Sequence, residues 1–400
     1  MSARKILHID LDAFFCSVEE LLNSSLKGNP FAVGGSPEGR GVVTSCSYSA
    51  RQFGIRSAMP MVIALKLCPE LIIVDSHHAN YAEYSSKVMS LLHDYTNLIE
   101  QVSIDEAFLD ITHLDEDAVL VAQKIQDRIN QEINLPCSIG VASNKLVAKI
   151  ANDHGKSSKN LPQSPNTITV VTPGREKEFL APLPVIALWG IGPKTAERMA
   201  ERGIHTIGDI ALVSEEKLVV LFGKHGRDLA KRSRGIDDRP IITSYETKSI
   251  SNERTFPTDI QDQSKLEEVI EILSMKVGKR LRVINKSARV IRIKLRWSNF
   301  TTITRQITLD NPVSADNQIS LTATKLFRNA WNPKAPVRLL GVGVSGFDEI
   351  PNQLELWDTE KPNIKPSRDK ILDEAVSSIQ SKFGESSIRL GWGEDFIPDK

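Results

Sequence analysis

The order of apolar runs in this 400-residue chain predicts a multidomain α+β protein. Its N-terminal part mixes short strand-like and helix-like runs. Its middle is helical and punctuated by glycine-bracketed turns, and a second mixed pattern occupies 248–346. At ~100–200 residues per domain, the length allows two to four of them.

The run 4–10 (RKILHID) reads as a short buried strand ending on an aspartate. Residues 13–26 read as a helix with Phe14, Val18, Leu21 and Leu22 on one side. Phe31–Val33 and Val42–Val43 flank a glycine-rich turn at 34–41, the pattern of a small hairpin. Helices are expected near 79–96 and 116–132, with two strands around Asp105 and Glu106 between them. A strand at 137–142 and a helix at 143–153 follow. The Ser/Asn/Pro-rich stretch 157–168 reads as a loop, 174–233 as short helices and 234–247 as a linker. A polar break at 351–367 precedes one amphipathic helix, and no internal repeat is present.

Lysine plus arginine equals aspartate plus glutamate at 50 each, so net charge names no partner. The four cysteines (Cys16, Cys46, Cys68, Cys137) lie far apart without CxxC spacing. They read as reduced thiols, not as a disulfide frame or zinc site. The first acid at residue 10 argues against a signal peptide, and no apolar run approaches the ~20 residues that span a bilayer. A cytoplasmic, nucleoid-associated protein without membrane contact is expected.

Two acidic segments interrupt apolar strand patterns, HIDLD at 8–12 and SIDEAFLD at 103–110. Alternate residues of a strand share a face, so Asp10 and Asp12 can point the same way. The neighbours Asp105 and Glu106 point apart unless a turn or bulge redirects one. Acids converging from different strands suit two-metal phosphoryl transfer, in which ions ~3.5–4 Å apart clamp the attacking and leaving oxygens. Spacing alone also suits strand-end acids facing water.

The run IDLDAFFCSVEE at 9–20 is followed by YSARQFGIRSAMP at 48–60, SIDEAFLD, VAKIANDHGK at 147–156 and GIGPKTAERM at 190–199. In order and over nearly the whole chain, these segments resemble the Y family of lesion-bypass DNA polymerases. The resemblance implies a right-hand polymerase with a palm at 1–18 and 78–166 and small fingers at 19–77. A helical thumb with a helix–hairpin–helix at 167–233, the linker, an α+β little finger at 248–346 and a tail at 347–400 complete it. It implies that Asp10, Asp105 and Glu106 are catalytic. With the backbone carbonyl of Leu11 they hold two Mg2+ ions, for which Mn2+ can substitute.

Phe15 follows Asp10 by five residues. The resemblance makes it a steric gate, a ring that leaves no room for a ribonucleotide's 2′-hydroxyl. The residues alone leave Phe15 and Phe14 readable as core aromatics. Ser47 suits a helix N-cap and Gly54 its end, so Tyr48 and Arg51 share a face. A guanidinium fork and a phenolic donor suit a triphosphate, and a solvated helix face is the other reading. The resemblance also places Phe14 and Ser45 at the nucleotide and adds Lys156. Here the chain departs from the family pattern. Lys-Pro-x-Gly is replaced by Lys156-Ser157-Ser158-Lys159, which leaves Lys159 as the alternative contact. Ser45-Cys46-Ser47 is a second departure, where relatives often have Thr-Ala-Asn. Ser57 and Ala58 are small where the resemblance places the pocket roof, and the resemblance implies low fidelity and tolerance of damaged templates.

LWGIGPKTAERM reads as a helix–hairpin–helix. Gly190 and Gly192 admit a phosphate to the backbone, Pro193 starts a helix whose N-terminus favours an anion, and Lys194 stands beside it. A second turn supplies Lys224, Arg227, Lys231 and Arg232. Residues 272–309 hold ten bases and no acid. Arg292, Lys294 and Arg296 alternate with Ile293, Leu295 and Trp297, so a strand puts three cations on one face. A phosphate footprint accounts for this better than a solvated sheet. Gln353, Leu354, Leu356 and Trp357 resemble the sliding-clamp pentapeptide Gln-Leu-x-Leu-Phe.

The expectation is template-directed, low-fidelity DNA synthesis in translesion repair by a monomer. Its partners are primer–template DNA, deoxynucleoside triphosphates and a replication sliding clamp. One rival is another palm-type enzyme such as a nucleotide cyclase, which needs neither the thumb turns nor the basic module. The other is an inactive DNA- and clamp-binding relative, against which intact Asp10, Asp105 and Glu106 argue.

Overall fold

The computed structural model describes residues 3–158, 164–348 and Ala375. The chain divides into two units, Met1–Tyr245 and Glu246–Lys400. The described residues of the first carry β1 (Ile6–Leu11), β2 (Phe31–Gly34), β3 (Val43–Cys46), β4 (Ile72–Val74), β5 (Ile99–Gln101), β6 (Glu106–Asp110), β7 (Cys137–Ala142) and β8 (Ile168–Val170). One sheet has the order β5-β6-β1-β7-β8, antiparallel except for β7 beside β8.

β1 is central in this sheet. Leu7, Ile9 and Leu11 meet Phe14, Val18, Tyr81, Val88, Val121 and Ile125 of three helices, Phe14–Leu22, His78–His93 and Ala118–Arg128. Ile6, His8 and Asp10 have the opposite parity. Ile6 packs with Phe108 against Leu146, Val147 and Ile150 of the helix Lys145–Ser158. Covered on both faces, the strand leaves room for a charge only near its end, where Asp10 is half-buried. Gly140 of β7 lets the helix Lys145–Ser158 approach closely, because a Cβ there would stand 1.9 Å from the Ala148 carbonyl oxygen.

The expected hairpin is β2 with β3. β4, which the sequence reading lacked, joins β2 in parallel to give the order β3-β2-β4 over a separate core of Ala32, Val43, Ile55, Met61 and Leu71. All four cysteines are buried and unpaired, as reduced thiols should be. The helix expected over 13–26 ends at Leu22, because Asn23 caps a separate 3-10 turn, Ser24–Leu26. The helix expected over 143–153 runs on to Ser158 and so carries Lys156 to the end of β1.

After β8 come five short helices, Glu176–Leu180, Pro193–Ala200, Ile207–Leu212, Glu215–Phe222 and His225–Arg232. The expected linker has neither helix nor strand, but its first part is pinned. Asp237 accepts from the Leu146 N–H at 3.1 Å. Buried Glu100, paired with Lys145 at 2.5 Å, accepts from the Ile242 N–H at 2.8 Å and the Tyr245 hydroxyl at 2.5 Å.

The second unit carries β9 (Ser249–Ile260), β10 (Ser287–Trp297), β11 (Thr302–Val313) and β12 (Val337–Asp348) in the antiparallel order β11-β10-β12-β9. The helices Gln263–Val283 and Asp316–Ala330 cover the face bearing Ile291, Ile293 and Leu295. No described helix is long and apolar enough to cross a membrane.

Candidate active site

Strand register brings the first two acids together: Asp10 of β1 pairs with Glu106 of β6. Asp105 lies in the bend ahead of β6, where Ser103 Oγ donates to its carboxylate at 2.5 Å and its carbonyl accepts from the Leu11 N–H at 2.9 Å. That bend redirects Asp105 into the cleft that Asp10 lines, while Glu106 stays beside His8. Asp12 is fully buried and has a structural task. It accepts from Ser138 Oγ at 2.9 Å, Ser164 Oγ at 2.8 Å and the Asn166 N–H at 2.9 Å, tying the end of β1 to the loop before β8.

Two lysines from one helix face these acids. Lys156 Nζ lies 2.6 Å from Asp10 Oδ1 and 2.9 Å from Asp12 Oδ1. Lys149 Nζ pairs with Glu106 Oε1, which also contacts His8 Nε2 at 2.6 Å. Asn152 Nδ2, 3.0 Å from His8 Nδ1, assigns the ring proton to Nε2. Burial lowers the His8 pKa and keeps the imidazole neutral. Burial raises the Asp10 carboxyl against the pull of Lys156. Burial also pushes Glu106 upward, but His8 and Lys149 outweigh it and bring the carboxyl down to about 2. Sequence reasoning missed His8, Lys149 and Asn152. The signals were present: His8 stands two before Asp10 on one strand face, and 149, 152 and 156 have one-face helical spacing.

Among the described residues, no three His, Cys, Asp or Glu side chains converge closely enough to hold a metal ion as they stand. The donor chemistry nevertheless fits a hard divalent cation. It is oxygen only, from Asp10, Asp105, Glu106 and Leu11.

A cleft of about 310 Å³ collects the expected nucleotide residues Phe14, Phe15, Ser45, Tyr48, Arg51 and Lys156 with Asp10, Leu11 and Asp105, and adds Ala13, Thr44 and Ser57. Ser47 Oγ caps the helix Tyr48–Arg51 by accepting from the Ala50 N–H at 3.2 Å. The Arg51 guanidinium lies 4.4 Å from the Tyr48 ring centroid. Burial pushes the Tyr48 phenol up to about 12, so it remains a donor. Phe15 stacks on Tyr81 at 4.2 Å and 11°, and the Tyr81 hydroxyl donates to buried Glu19. Phe14 is 2% exposed and belongs chiefly to the core. Ala13 turns the chain from Asp12 into this helix at φ 45°, a left-handed conformation costing a non-glycine residue about 1–3 kcal/mol.

A second cleft, of about 470 Å³, separates Lys149, Asp153 and His154 from the turn that carries Trp189, Gly190 and Ile191. Gly190 has φ 102°, Gly192 is the N-cap and Pro193 the first residue of the helix Pro193–Ala200, which includes Lys194. In the second unit, Arg292 and Lys294 line a groove of about 240 Å³ opposite Gly341 and Gly343, which put no side chain into it. The fold supplies acids that the sequence window lacks. Lys294 pairs with Glu253 at 2.8 Å, Arg282 with Asp316 at 2.7 Å, and Arg289 with Asp348. Arg296 Nε donates to Thr302 Oγ1 at 2.8 Å, and Arg292 has no acidic partner among the described residues. Lys159, Gln353, Leu354, Leu356 and Trp357 lie outside the described residues.

Residues 9–153 match the impB/mucB/samB family, 173–204 the IMS family HHH motif, and 247–356 the impB/mucB/samB family C-terminal domain. The chain is 40% identical over 395 residues to DNA polymerase IV of Dehalococcoides mccartyi (strain CBDB1), covering 98% of each. It belongs to the Y family of DNA polymerases, on the DNA polymerase IV branch. DNA polymerase IV of Listeria monocytogenes serotype 4b (strain F2365) is 38% identical over 352 residues, 87% of this chain and 97% of that one. A Dbh-based Y-family DNA polymerase chimera superposes with a TM-score of 0.78 at 26% identity, over 86% of this chain and 98% of that one. The insertion ternary complex of Dbh DNA polymerase gives 0.60 at 26% identity, over 85% and 98%. The chain is a translesion DNA polymerase, of a class that uses divalent metal ions.

Proposed function

We propose that Asp10, Asp105, Glu106 and the Leu11 carbonyl hold two magnesium ions, for which manganese can substitute, and that the 310 Å³ cleft receives the incoming deoxynucleotide. The observation that carries this reading is the meeting of Asp10 and Asp105 with Phe15, Tyr48, Arg51 and Lys156 in one cleft. When bound, the ions would activate the primer 3′-hydroxyl and neutralise charge on the triphosphate. Tyr48 and Arg51 donate to the phosphates, and Lys156 moves from Asp10 to the same oxygens. Phe15, backed by Tyr81, bounds the sugar. The domain limits expected from the sequence, with palm, fingers, thumb, linker, little finger and tail, are proposed unchanged, and so is a monomer acting with DNA in the cytoplasm. Primer extension with purified protein, on intact and lesion-bearing templates, tests the whole. Absence of template-dependent extension with any deoxynucleotide would remove it.

Gly190, Gly192 and Lys194 would hold primer phosphates, and the open face of β10 would hold the duplex. Replacing Arg292, Lys294 and Arg296 together with alanine should weaken DNA binding alike for all sequences. Three free cations would lower the salt slope by about three. Because Glu253 already compensates Lys294, the expected fall is about two. An unchanged slope in a salt titration would mean that this face does not meet phosphate.

The pentapeptide containing Gln353, Leu354, Leu356 and Trp357 is proposed as the clamp contact. Apolar anchors carry most of the energy of such short interfaces, and tethering raises the effective concentration of a weak polymerase at its template. Leu356→Ala with Trp357→Ala should abolish clamp-stimulated synthesis and spare basal extension. Equal stimulation of variant and wild type by loaded clamp would remove the peptide from the mechanism.

A further inference from the structure

Lys149 pairs with Glu106 Oε1 and also lines the second cleft, of about 470 Å³, together with Asp153, His154, Trp189 and Gly190. That cleft lies between the helix bearing Lys149 and the first glycine-bracketed turn of the thumb. A phosphodiester entering this cleft would come within reach of Lys149, which lines it. An ammonium has three donors, and besides Glu106 the nearest acid to Lys149 Nζ is Asp153 at 3.9 Å. It can therefore exchange a carboxylate for a phosphate. Glu106 Oε1 meanwhile serves both Lys149 and His8.

We propose that Lys149 is a positioning residue that couples the primer to the cations. Without DNA, its ammonium occupies the Glu106 carboxylate oxygen that a cation would need. A primer's terminal phosphodiester draws the ammonium away and frees Glu106 to complete the cation site. This rests on the assignment of Asp10, Asp105 and Glu106 as metal ligands. The physical basis is competition: a lysine and a divalent ion seek the same carboxylate, and a phosphate gives the lysine another partner. By linkage, DNA then tightens cation binding and the cation tightens DNA binding by the same factor.

The test is Mn2+ binding to the full chain, read by electron paramagnetic resonance without nucleotide, with and without a primer–template lacking the primer 3′-hydroxyl. Asp105→Ala with the same DNA gives the background of ions held by DNA alone. In the wild type, DNA should tighten site-bound Mn2+ by at least about fivefold. Lys149→Met should bind Mn2+ tightly without DNA and change less than about twofold on adding it, whereas Lys149→Arg, which keeps the charge, should retain the coupling. Wild-type coupling in Lys149→Met, or loss of coupling in Lys149→Arg, would overturn the proposal and leave the metal assignment standing. Equal Mn2+ binding by Asp105→Ala and wild type would overturn the metal assignment itself.

Discussion

Replacing Asp105 with alanine should lower nucleotide incorporation by at least about a hundredfold, the effect of removing one preorganised charge from a phosphoryl-transfer site. The local structure makes this substitution a clean probe. Asp105 is half-buried in a bend, and the partner of its carboxylate is Ser103 Oγ. Losing one such hydrogen bond costs about 1 kcal/mol, so the fold should survive. Its carbonyl bond to the Leu11 N–H belongs to the backbone and is kept. Primer–template affinity measured without divalent ions should stay near wild type, because the thumb turns and the face of β10 are untouched. Single-turnover extension and a binding titration on the same preparation check both halves. Wild-type-like synthesis would exclude Asp105 from the chemistry.

How this site could be read from sequence differs residue by residue. Asp10 was legible because a charge interrupting a doubly buried strand belongs at its end. The tie of Asp105 to Ser103 was not, since adjacent strand residues diverge and only the bend at 103–105 turns one of them. The role of Asp12 came out differently for the same reason. Its strand parity matched Asp10, but Ser138, Ser164 and Asn166 close around it. Which acid a distant base meets was not legible: helical spacing puts Lys149 on the face of Lys156 but does not pair it with Glu106, and nothing local pairs Lys294 with Glu253. The basic stretch therefore looked stronger than the folded sheet makes it. β4 escaped notice because three residues carry no readable period.

Phe15→Ala should raise the ratio of ribonucleotide to deoxynucleotide incorporation by about 5–150-fold, with most deoxynucleotide incorporation retained. The range follows from the penalty of overpacking an occupied site, about 1–3 kcal/mol, which the smaller side chain removes. Phe15 can act as a barrier because it cannot swing aside. Its ring is stacked on Tyr81 at 4.2 Å, and Tyr81 is anchored through its hydroxyl to buried Glu19. The neighbouring Phe14 separates gating from packing. At 2% exposure it faces the core, so Phe14→Ala should cost about 3–5 kcal/mol of stability without changing the sugar ratio. Phe15 is only half-buried and borders the cleft, so its alanine variant should be less destabilised than that of Phe14. Paired measurements of denaturation and of single-nucleotide incorporation with ribo- and deoxynucleotides distinguish the two. An unchanged sugar ratio in Phe15→Ala, together with a stability loss like that of Phe14→Ala, would make Phe15 a core residue and leave sugar selection to another wall of the cleft.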